Sequence, residues 1–501
     1  MSDRILALDV GTSRVKAIVT DLDGLVVASS SRSYGLQAAE GGWVDQDFDE
    51  ILGASLQAMR ALVDGLLGRG REIVVVSVTA QMFNLVAVDA TGRPVLPMLS
   101  WLDQRSQPQA RDLAVRMPPE EQYRKLGAVV SAKDILPKIL WLRDRRPDAY
   151  AATAWLLDCK EAVVMGLTGR ADTDFAGASA FRLCDKRTRT WDREVCRELG
   201  IAPELLPDVV PATAIAGGIS TAVARQTGLL AGTPVAVGSG DVAASQVGSG
   251  AVRVGDAHVS LGTAVYFGVT LAEPADDPGR WLGVLGHMDP GAWILWLEIA
   301  TGGGALGWLA SSIGTMVAGR PVDYGDVDRM VAGCAGEMDD LLFAPWLSGE
   351  RVPVFDDRVR AAFVGIGLNH GPAHLFRAVM EGVAYQMRWA LEYGEAFGQP
   401  LEEIRAVGGG GIGEVWTQII ADTLDRPIKV IRQPQDAAAV GAAACGMVAL
   451  GVRPDFLFAR DLAIVDREYL PDPRRRSMVA DGYGRFRQLY DALAPLPRRS
   501  S

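Results

Sequence analysis

The first part of the chain carries short apolar runs whose spacing predicts a compact unit of strands and helices. Apolar residues dominate 4–10 and 14–20, and the hairpin signal Asp21-Leu22-Asp23-Gly24 follows, which predicts three strands in succession. Over 48–67 the apolar residues recur every three or four positions, the spacing of an amphipathic helix. The β-branched run at 73–76 is typical of a strand that is buried on both faces.

A similar order of elements recurs in the second half of the chain. We expect it to begin near residue 232 with a strand at 234–238, followed by the loop that carries Asp241 and by strands around 256–270. Apolar helices at 373–397 and 415–425 would flank the second sheet. The predicted fold class is therefore α/β, with two ribonuclease-H-like domains and a cleft between them. The predicted N-terminal domain spans 1–243 with insertions at 85–230, the C-terminal domain spans 244–485, and a tail spans 486–501.

Composition excludes several classes of protein. The chain has 501 residues, of which 49% are apolar and 22% are charged, so two or three domains with sizeable cores are expected. A net charge of −11 argues against a nucleic-acid partner, because nucleic acids attract basic surfaces. The five cysteines show no CxxC spacing, which argues against a zinc site or a disulfide framework. Charges interrupt the N-terminus, and no apolar run reaches the roughly 18 residues of a membrane span, so we expect a soluble, cytoplasmic protein without a membrane partner.

Two glycine turns lie about half the chain apart, and each follows an apolar strand. The first contains Gly11, Thr12 and Ser13, and the second contains Gly262 and Thr263. Because glycine has no Cβ, such a turn lets backbone N–H groups and a hydroxyl approach one anion. Either turn alone is also compatible with an ordinary hairpin. The pair together suggests two similar lobes that hold one polyphosphate between them.

Four consecutive glycines at 408–411 precede a predicted apolar helix. Such a run is costly in chain entropy, and close backbone approach to a flat ligand such as an adenine ring would explain it. The alternative is a flexible loop, which is more often flanked by serine and charged residues than by a strand and an apolar helix.

Several longer segments match the signatures of one family. They comprise 9–16 at the first glycine turn, 42–47, 138–142, and a C-terminal signature at 361–366 and 374–381. In these segments the chain resembles the FGGY carbohydrate kinases, within the actin/hexokinase/Hsp70 ATPase superfamily, along nearly its whole length. Ile135 and Arg145 depart from the upstream signature, and Asp436 stands where glutamate is common in the family. The resemblance implies an actin-like ATPase fold and two cofactors, ATP and Mg²⁺.

The resemblance also implies roles for two carboxylates and for the glycine turns. Asp241 would be the general base that accepts the proton of the substrate hydroxyl, although an aspartate there is also compatible with a helix N-cap. Asp9 would hold Mg²⁺, although it is also compatible with a structural turn residue. Lys16 is expected to point into solvent. The expected nucleotide-binding residues are Gly11, Thr12, Ser13, Gly262, Thr263, Gly409 and Gly410, the last two against the adenosine.

Sugar contacts are implied for two further segments. They comprise Gln81, Met82 and Phe83 after the fourth strand, and then Trp101, Asp103 and Arg105. A tryptophan face packs on the apolar side of a sugar, and charged groups hydrogen-bond its hydroxyls. Xylulokinases and many gluconate kinases carry histidine where this chain has Phe83, so the identity of the acceptor stays open. Met82 and Phe83 are also compatible with core positions, and Asp103 and Arg105 with a surface ion pair.

We therefore predict an ATP-dependent, Mg²⁺-requiring kinase that phosphorylates a hydroxyl of a small sugar, sugar acid or polyol. A ketopentose such as xylulose is the first expectation, and gluconate, glycerol or another polyol is the alternative. A sugar-sensing regulator would need a DNA-binding module, and a chaperone-like ATPase would lack the C-terminal FGGY signature. The resemblance is compatible with a homodimer.

Overall fold

A computed structural model describes residues 3–66, 68–275, 277, 283–314, 319, 322–334, 340–354, 356, 358–396, 401, 403–408 and 413–495. Its strands are β1 (Arg4–Val10), β2 (Arg14–Asp21), β3 (Val26–Ser33), β4 (Gln37–Ala39), β5 (Trp43–Gln46), β6 (Ile73–Ala80), β7 (Val86–Val88), β8 (Met98–Leu99), β9 (Trp155–Leu157), β10 (Asp172–Thr173), β11 (Asp208–Val209), β12 (Ile215–Gly218), β13 (Pro234–Ala236), β14 (Ser239–Gly240), β15 (Ala257–Leu261), β16 (Val265–Leu271), β17 (Gly283–Gly286), β18 (Trp293–Ile299), β19 (Leu342–Ala344), β20 (Ala362–Val364), β21 (Ile404–Val407), β22 (Ile428–Ile431) and β23 (Val465–Tyr469).

The α-helices are α1 (Phe48–Gly65), α2 (Gln107–Arg116), α3 (Pro119–Leu126), α4 (Ile135–Arg145), α5 (Pro147–Ala152), α6 (Cys159–Thr168), α7 (Phe175–Ala180), α8 (Arg193–Glu198), α9 (Thr221–Thr227), α10 (Asp241–Gly248), α11 (Gly303–Leu309), α12 (Tyr324–Ala332), α13 (Pro372–Glu395), α14 (Glu414–Leu424), α15 (Ala437–Ala449), α16 (Ala459–Leu462) and α17 (Arg476–Leu493). Within the described ranges, every helix is too short or too polar to span a bilayer.

The first sheet is built around the parallel pair of β1 and β6. Across the sheet the strands follow the order β3-β2-β1-β6-β13-β12, and β14 also pairs with β6. The pairs from β3 to β1 are antiparallel, the next two are parallel, and β13 with β12 is antiparallel. Most side chains of β1 and β6 are buried, as the apolar runs in the sequence predict. The helix α1 packs against this sheet and was predicted within two residues of its observed bounds.

The second sheet repeats this arrangement. Its strands follow the order β18-β16-β15-β21-β22-β23, and β17 is added beyond β18. The pair directions are again antiparallel twice, parallel twice and antiparallel once. The identical order and directions confirm the predicted duplication of a ribonuclease-H-like domain.

The structure corrects three of the predicted features: the place of one strand, the role of one long segment and the extent of the tail. The strand Pro234–Ala236 pairs with β6 of the first sheet, so the second sheet begins at Ala257 and not near residue 232. The segment 85–230 is more than an insertion, because it supplies β12 at the edge of the first sheet and α6 in the core beneath it. Residues 486–493 continue α17, whose Phe486 packs against Trp346, and so do not form a separate tail. Periodicity predicts the type of an element, whereas its partner depends on contacts that are distant in sequence.

The helices α10 and α15 cross between the two lobes, and two glycines make the crossing possible. A Cβ on Gly248 would collide with the carbonyl of Ala437, and one on Gly441 would collide with that of Ala244. The missing side chains let the two backbones approach closely. Because α10 begins at Asp241, this crossing sets the position of that carboxylate relative to both lobes. The predicted domain division between residues 243 and 244 falls within α10.

Candidate active site

A cavity of about 390 Å³ lies between the two lobes. Its lining includes eight of the residues that the sequence predicts for the site: Thr12, Gln81, Met82, Phe83, Trp101, Asp241, Gly262 and Thr263. Further lining residues include Lys133, Asp134, Arg182, Tyr266, Trp296, Glu298 and Arg351. Both glycine turns and the candidate base therefore face one space, although they come from different parts of the chain.

A second cavity, of about 550 Å³, lies at the first glycine turn and is here called the turn groove. Its lining contains Asp9, Gly11, Thr12, Ser13, Arg14, Lys16, Ser29, Ser30, Ser31 and Gln435. Thr12 lines both cavities, and its Oγ1 accepts a hydrogen bond from Trp101 Nε1 at 3.0 Å. Phosphate oxygens accept hydrogen bonds, and the hydroxyl groups and cations that line the turn groove are suitable donors.

The two glycine turns have similar backbone hydrogen bonds. The N–H of Gly11 donates to the carbonyl of Arg14 at 3.0 Å, and that of Gly262 donates to the carbonyl of Ala264 at 3.1 Å. The second turn also rests on the start of α11, where Gly303 N–H donates to the Gly262 carbonyl at 2.8 Å. A Cβ on Gly303 would lie only 2.8 Å from that carbonyl oxygen. This contact was not predicted, although the three glycines at 302–304 are a visible signal for close backbone approach.

Asp241 is the first residue of α10 and lies in the cavity wall. Gly240 occupies the N-cap, and no side chain caps this described helix, so the alternative of a capping Asp241 is wrong. Burial raises the pKa of Asp241 to about 7, the charges of Asp9 and Asp158 raise it too, and the N–H of Val242 lowers it. A carboxyl group that titrates near neutral pH is suited to accept a proton from a hydroxyl.

Phe83 lies in a loop that is fixed by two buried charges. Its φ is 67°, a left-handed conformation that is uncommon for a residue with a side chain. Asp158 accepts hydrogen bonds from the N–H groups of Phe83 and Asn84 at 2.7 and 3.0 Å, and Lys138 Nζ donates to the Phe83 carbonyl at 2.6 Å. Burial lowers the pKa of Lys138 to about 8 and raises the pKa of Asp158. These roles of Asp158 and Lys138 leave no signal in the sequence, because both side chains act on the backbone of another segment.

The ring of Phe83 contacts the second lobe. It stacks on Trp296 with 5.5 Å between ring centroids and 16° between planes, and the guanidinium of Arg182 lies 5.5 Å from the same ring. Three side chains of the cavity lining keep a buried polar atom without a hydrogen-bond partner in the described part of the chain: Gln81 Oε1, Arg182 Nη1 and Trp296 Nε1. A polyhydroxy ligand offers both donors and acceptors for such atoms.

Asp103 and Arg105, two predicted sugar contacts, are not among the described residues that line the cavity. Arg105 pairs with Asp103 at 2.8 Å and with Asp45 at 2.5 Å, and its guanidinium lies 4.2 Å from the centroid of a Trp43 ring. Asp103 also accepts a hydrogen bond from the N–H of Val44 at 2.6 Å. The pair is buried and not on the surface, and its charges are satisfied within the protein, so in this arrangement it holds the segment around β5.

Asp9 and Lys16 lie together in the turn groove. Burial raises the pKa of Asp9 to about 6, and the charges of Lys16 and Arg14 lower it. Lys16 does not point into solvent as expected, because its ammonium contacts the carboxylate of Asp436, which lies just before α15. Among the described residues, no group of three or more acidic, histidine or cysteine side chains forms a metal site.

Gly409 and Gly410, the predicted adenosine contacts, lie outside the described residues. The preceding Gly408 has a φ of 113°, and its N–H donates to the carbonyl of Pro434 at 2.9 Å. A Cβ on Gly408 would lie 2.6 Å from the carbonyl oxygen of Leu261. The glycine run therefore begins directly against the second glycine turn, where a side chain would not fit.

Comparison with known proteins identifies the family. The profile of the FGGY family of carbohydrate kinases, N-terminal domain, matches residues 4–248, and that of the C-terminal domain matches residues 257–450. The chain belongs to the FGGY family of carbohydrate kinases. It is 27% identical to the gluconokinase of Bacillus subtilis (strain 168) over 504 residues, which cover 99% of this chain and 96% of that protein.

Two further similarities span both domains of this FGGY kinase. The xylulose kinase of Escherichia coli (strain K12) is 27% identical over 500 residues, covering 98% of this chain and 99% of that protein. The crystal structure of the xylulose kinase from Rhodospirillum rubrum matches with a TM-score of 0.90 at 26% identity, covering 98% of this chain and 99% of that chain. These findings confirm the predicted enzyme class, an ATP-using phosphotransferase that acts on a sugar hydroxyl.

Proposed function

We propose that this FGGY kinase transfers the γ-phosphoryl group of Mg²⁺-ATP to a hydroxyl of a small sugar or sugar acid, with Asp241 as general base. The observation that carries the proposal is the shared cavity, because its lining contains Asp241, residues of both glycine turns and three polar atoms that have no hydrogen-bond partner among the described residues. The names of the relatives, a gluconokinase and a xylulose kinase, support acceptors of this size and chemistry.

The proposed role of Asp241 follows from its position. A sugar hydroxyl is a poor nucleophile until a base accepts its proton, and a carboxylate within hydrogen-bond reach serves this purpose. The oxygen then attacks the γ-phosphorus as the bond to ADP breaks. The N-terminus of α10 stabilises the ionised carboxylate, since a helix N-terminus favours negative charge. The position of the cavity between two lobes limits the access of water, which would otherwise compete for the phosphoryl group.

The residues around the glycine turns fit a magnesium nucleotide. We assign the phosphates to Gly11, Thr12, Ser13, Gly262 and Thr263, and the adenosine to Gly409 and Gly410. Asp9 would hold Mg²⁺, because its charge raises the pKa of Asp241 and a divalent cation would offset the repulsion between these carboxylates. When bound, the ion neutralises charge on the phosphate oxygens.

An acceptor panel tests the proposed function. ADP release would be measured with Mg²⁺-ATP and each of xylulose, gluconate, glycerol and glucitol, with a reaction without acceptor as the control. We expect at least one acceptor to raise ADP release well above the control, because closure around an acceptor completes the site. Equal, slow ADP release in every reaction would contradict a carbohydrate kinase with this range of acceptors.

The pH dependence of the reaction follows from the pKa of Asp241. The base must be ionised to accept a proton, so kcat/KM for the acceptor should fall by up to about tenfold per pH unit once the pH lies below the pKa of Asp241, which burial raises and a Mg²⁺ ion at Asp9 would lower. An aspartate with its ordinary pKa of 3.8 would leave the rate unchanged down to pH 5. The profile would be measured from pH 5 to 9 with excess Mg²⁺, so that the nucleotide remains the metal complex. A flat profile would contradict a base with a raised pKa.

A further inference from the structure

A cluster of three buried charges contacts the segment that leads to Asp241. It consists of Lys160, Glu161 and Asp174, each with at most 2% of its surface exposed, and none of them is among the described residues that line the cavity. We propose that Asp174 is a positioning residue, which holds Asp241 in place for proton transfer through the hydroxyl of Ser239. This inference rests on the proposed function, in which Asp241 is the general base.

Asp174 joins two elements through one carboxylate. Its Oδ2 accepts a hydrogen bond from the hydroxyl of Ser239 at 2.5 Å. The same side chain caps α7, because Oδ2 accepts from the N–H of Ala176 at 3.2 Å and Oδ1 accepts from that of Gly177 at 3.1 Å. A hydrogen bond to an ionised carboxylate is about twice as strong as one between neutral groups, and burial strengthens it further. The contact with Ser239 therefore fixes β14 relative to α7.

Lys160 supplies a counter-ion to Asp174 and contacts the same segment. Its ammonium lies 2.9 Å from Glu161 and 3.4 Å from Asp174. It also donates a hydrogen bond to the carbonyl of Val237 at 3.3 Å, two residues before Ser239. Burial alone would lower the pKa of Lys160, but the charges of both carboxylates outweigh burial and raise that pKa. The lysine therefore remains charged, and a buried carboxylate with such a partner costs less than an unpaired one.

The position of Ser239 determines that of Asp241. The strand β14 has only two residues, which pair with the end of β6, and α10 begins at the next position with Asp241. A Cβ on Gly240 would lie 2.3 Å from the sulfur of Met82, so the backbone between Ser239 and Asp241 lies against the cavity lining. Two ladder positions constrain a strand weakly, and the hydrogen bond from Ser239 adds a third constraint. A shift of β14 would carry Asp241 with it, and a misplacement of about 1 Å can lower a rate about 10²-fold.

Asp174 also relates the base to the second lobe. The helix α7, which it caps, packs against β17 of the second sheet, where the N–H of Gly286 donates to Oγ of Ser179 at 3.2 Å. A Cβ on Gly286 would lie 2.6 Å from the backbone nitrogen of Ala176, so the two backbones are in close contact. Gly283, the first residue of β17, lines the cavity. Asp174 therefore connects the segment that carries the base to a wall of the cavity that belongs to the second lobe.

Replacement of Ser239 by alanine tests the proposed role. It removes one hydroxyl and leaves the helix cap and the ion pair of Asp174 in place. With the best acceptor of the panel, we expect kcat to fall about 10–100-fold, while the KM for the acceptor and the Kd for ATP change less than about twofold. A positioning role predicts this split, because the base acts in the transition state and other residues bind the substrates.

Ser55→Ala is the matched control. Ser55 is also fully buried, and its hydroxyl donates to the carbonyl of Ile51 at 2.9 Å within α1, outside the described cavity lining. Both variants lose one buried hydrogen bond, so their melting temperatures should fall to a similar extent. Only Ser239→Ala should lose turnover.

The Asp241→Asn background separates positioning from structural damage. If Asp174 acts only through Asp241, Ser239→Ala should change the residual turnover of Asp241→Asn less than about twofold, because no base remains to be positioned. General damage to the active site would instead lower that residual turnover by the same factor as in the wild type.

The outcomes separate this inference from the proposed function. A turnover of Ser239→Ala equal to that of Ser55→Ala, with Asp241→Asn strongly impaired, would overturn the positioning role and leave Asp241 as the base. Equal losses from Ser239→Ala in the wild type and in the Asp241→Asn background would overturn the positioning role as well. Full turnover in Asp241→Asn would contradict the proposed function itself, and the inference would fall with it.

Discussion

Replacement of Asp241 by asparagine is expected to lower kcat by about 10²–10⁴-fold, the usual contribution of a general base. Asparagine keeps the shape of the side chain but does not accept the proton of the attacking hydroxyl. The Kd for ATP should change little, because the phosphates are assigned to the glycine turns and not to α10. Steady-state kinetics with the best acceptor, and nucleotide binding measured separately, would check both parts of the prediction.

The pKa of Asp241 also predicts the thermal stability of the Asp241→Asn variant. Because the folded protein raises the pKa of Asp241 from 3.8 to about 7, the ionised carboxylate lowers the free energy of unfolding, and this cost develops as pH rises between those values. Asp241→Asn removes that charge, so its melting temperature at pH 8 should equal or exceed that of the wild type. Asp192→Asn is the matched control, since Asp192 caps α8 outside the cavity lining and asparagine caps equally well. A turnover in Asp241→Asn equal to that of this control would exclude Asp241 as the base.

Replacement of Gly441 by alanine is expected to damage both stability and activity. The added Cβ would collide with the carbonyl of Ala244, so α10 and α15 would have to move apart. Overpacking of this kind costs typically about 1–3 kcal/mol of unfolding free energy. Since α10 carries Asp241, a displacement of about 1 Å would also lower kcat by about 10²-fold. Thermal unfolding and kcat of the same preparation would measure the two effects.

Gly484→Ala is the matched control for this prediction. Gly484 also lies within a helix, α17, but a Cβ there would have no atom within 4 Å. Alanine has the higher helix propensity by about 0.8–1 kcal/mol, so this variant should be unchanged or more stable and fully active. If Gly441→Ala behaves like Gly484→Ala, the close crossing of α10 and α15 does not position the base.

Much of the fold was accessible from the sequence because its signals are local. The apolar runs that predict β1, β2 and β6 and the periodicity that predicts α1 each occupy a window shorter than 20 residues. The glycine turns were also visible, because a requirement for close backbone approach shows directly in residue type. The strand Pro234–Ala236 was recognised as a strand but assigned to the wrong sheet, since its apolar pattern contains no information about its neighbour.

The sequence by itself determined the duplicated α/β fold, the two glycine turns, the candidate base and the family. Only the tertiary structure decided that Lys16 contacts Asp436, that Arg105 is satisfied by Asp45, and that Phe83 lies against Trp296. The physical reason is that ion pairs and ring contacts join residues far apart in sequence and leave no periodic trace along the chain. Lys16 and Phe83 meet partners from the second half of the chain only where the two lobes pack around the cavity, whereas Arg105 meets Asp45 within the first lobe.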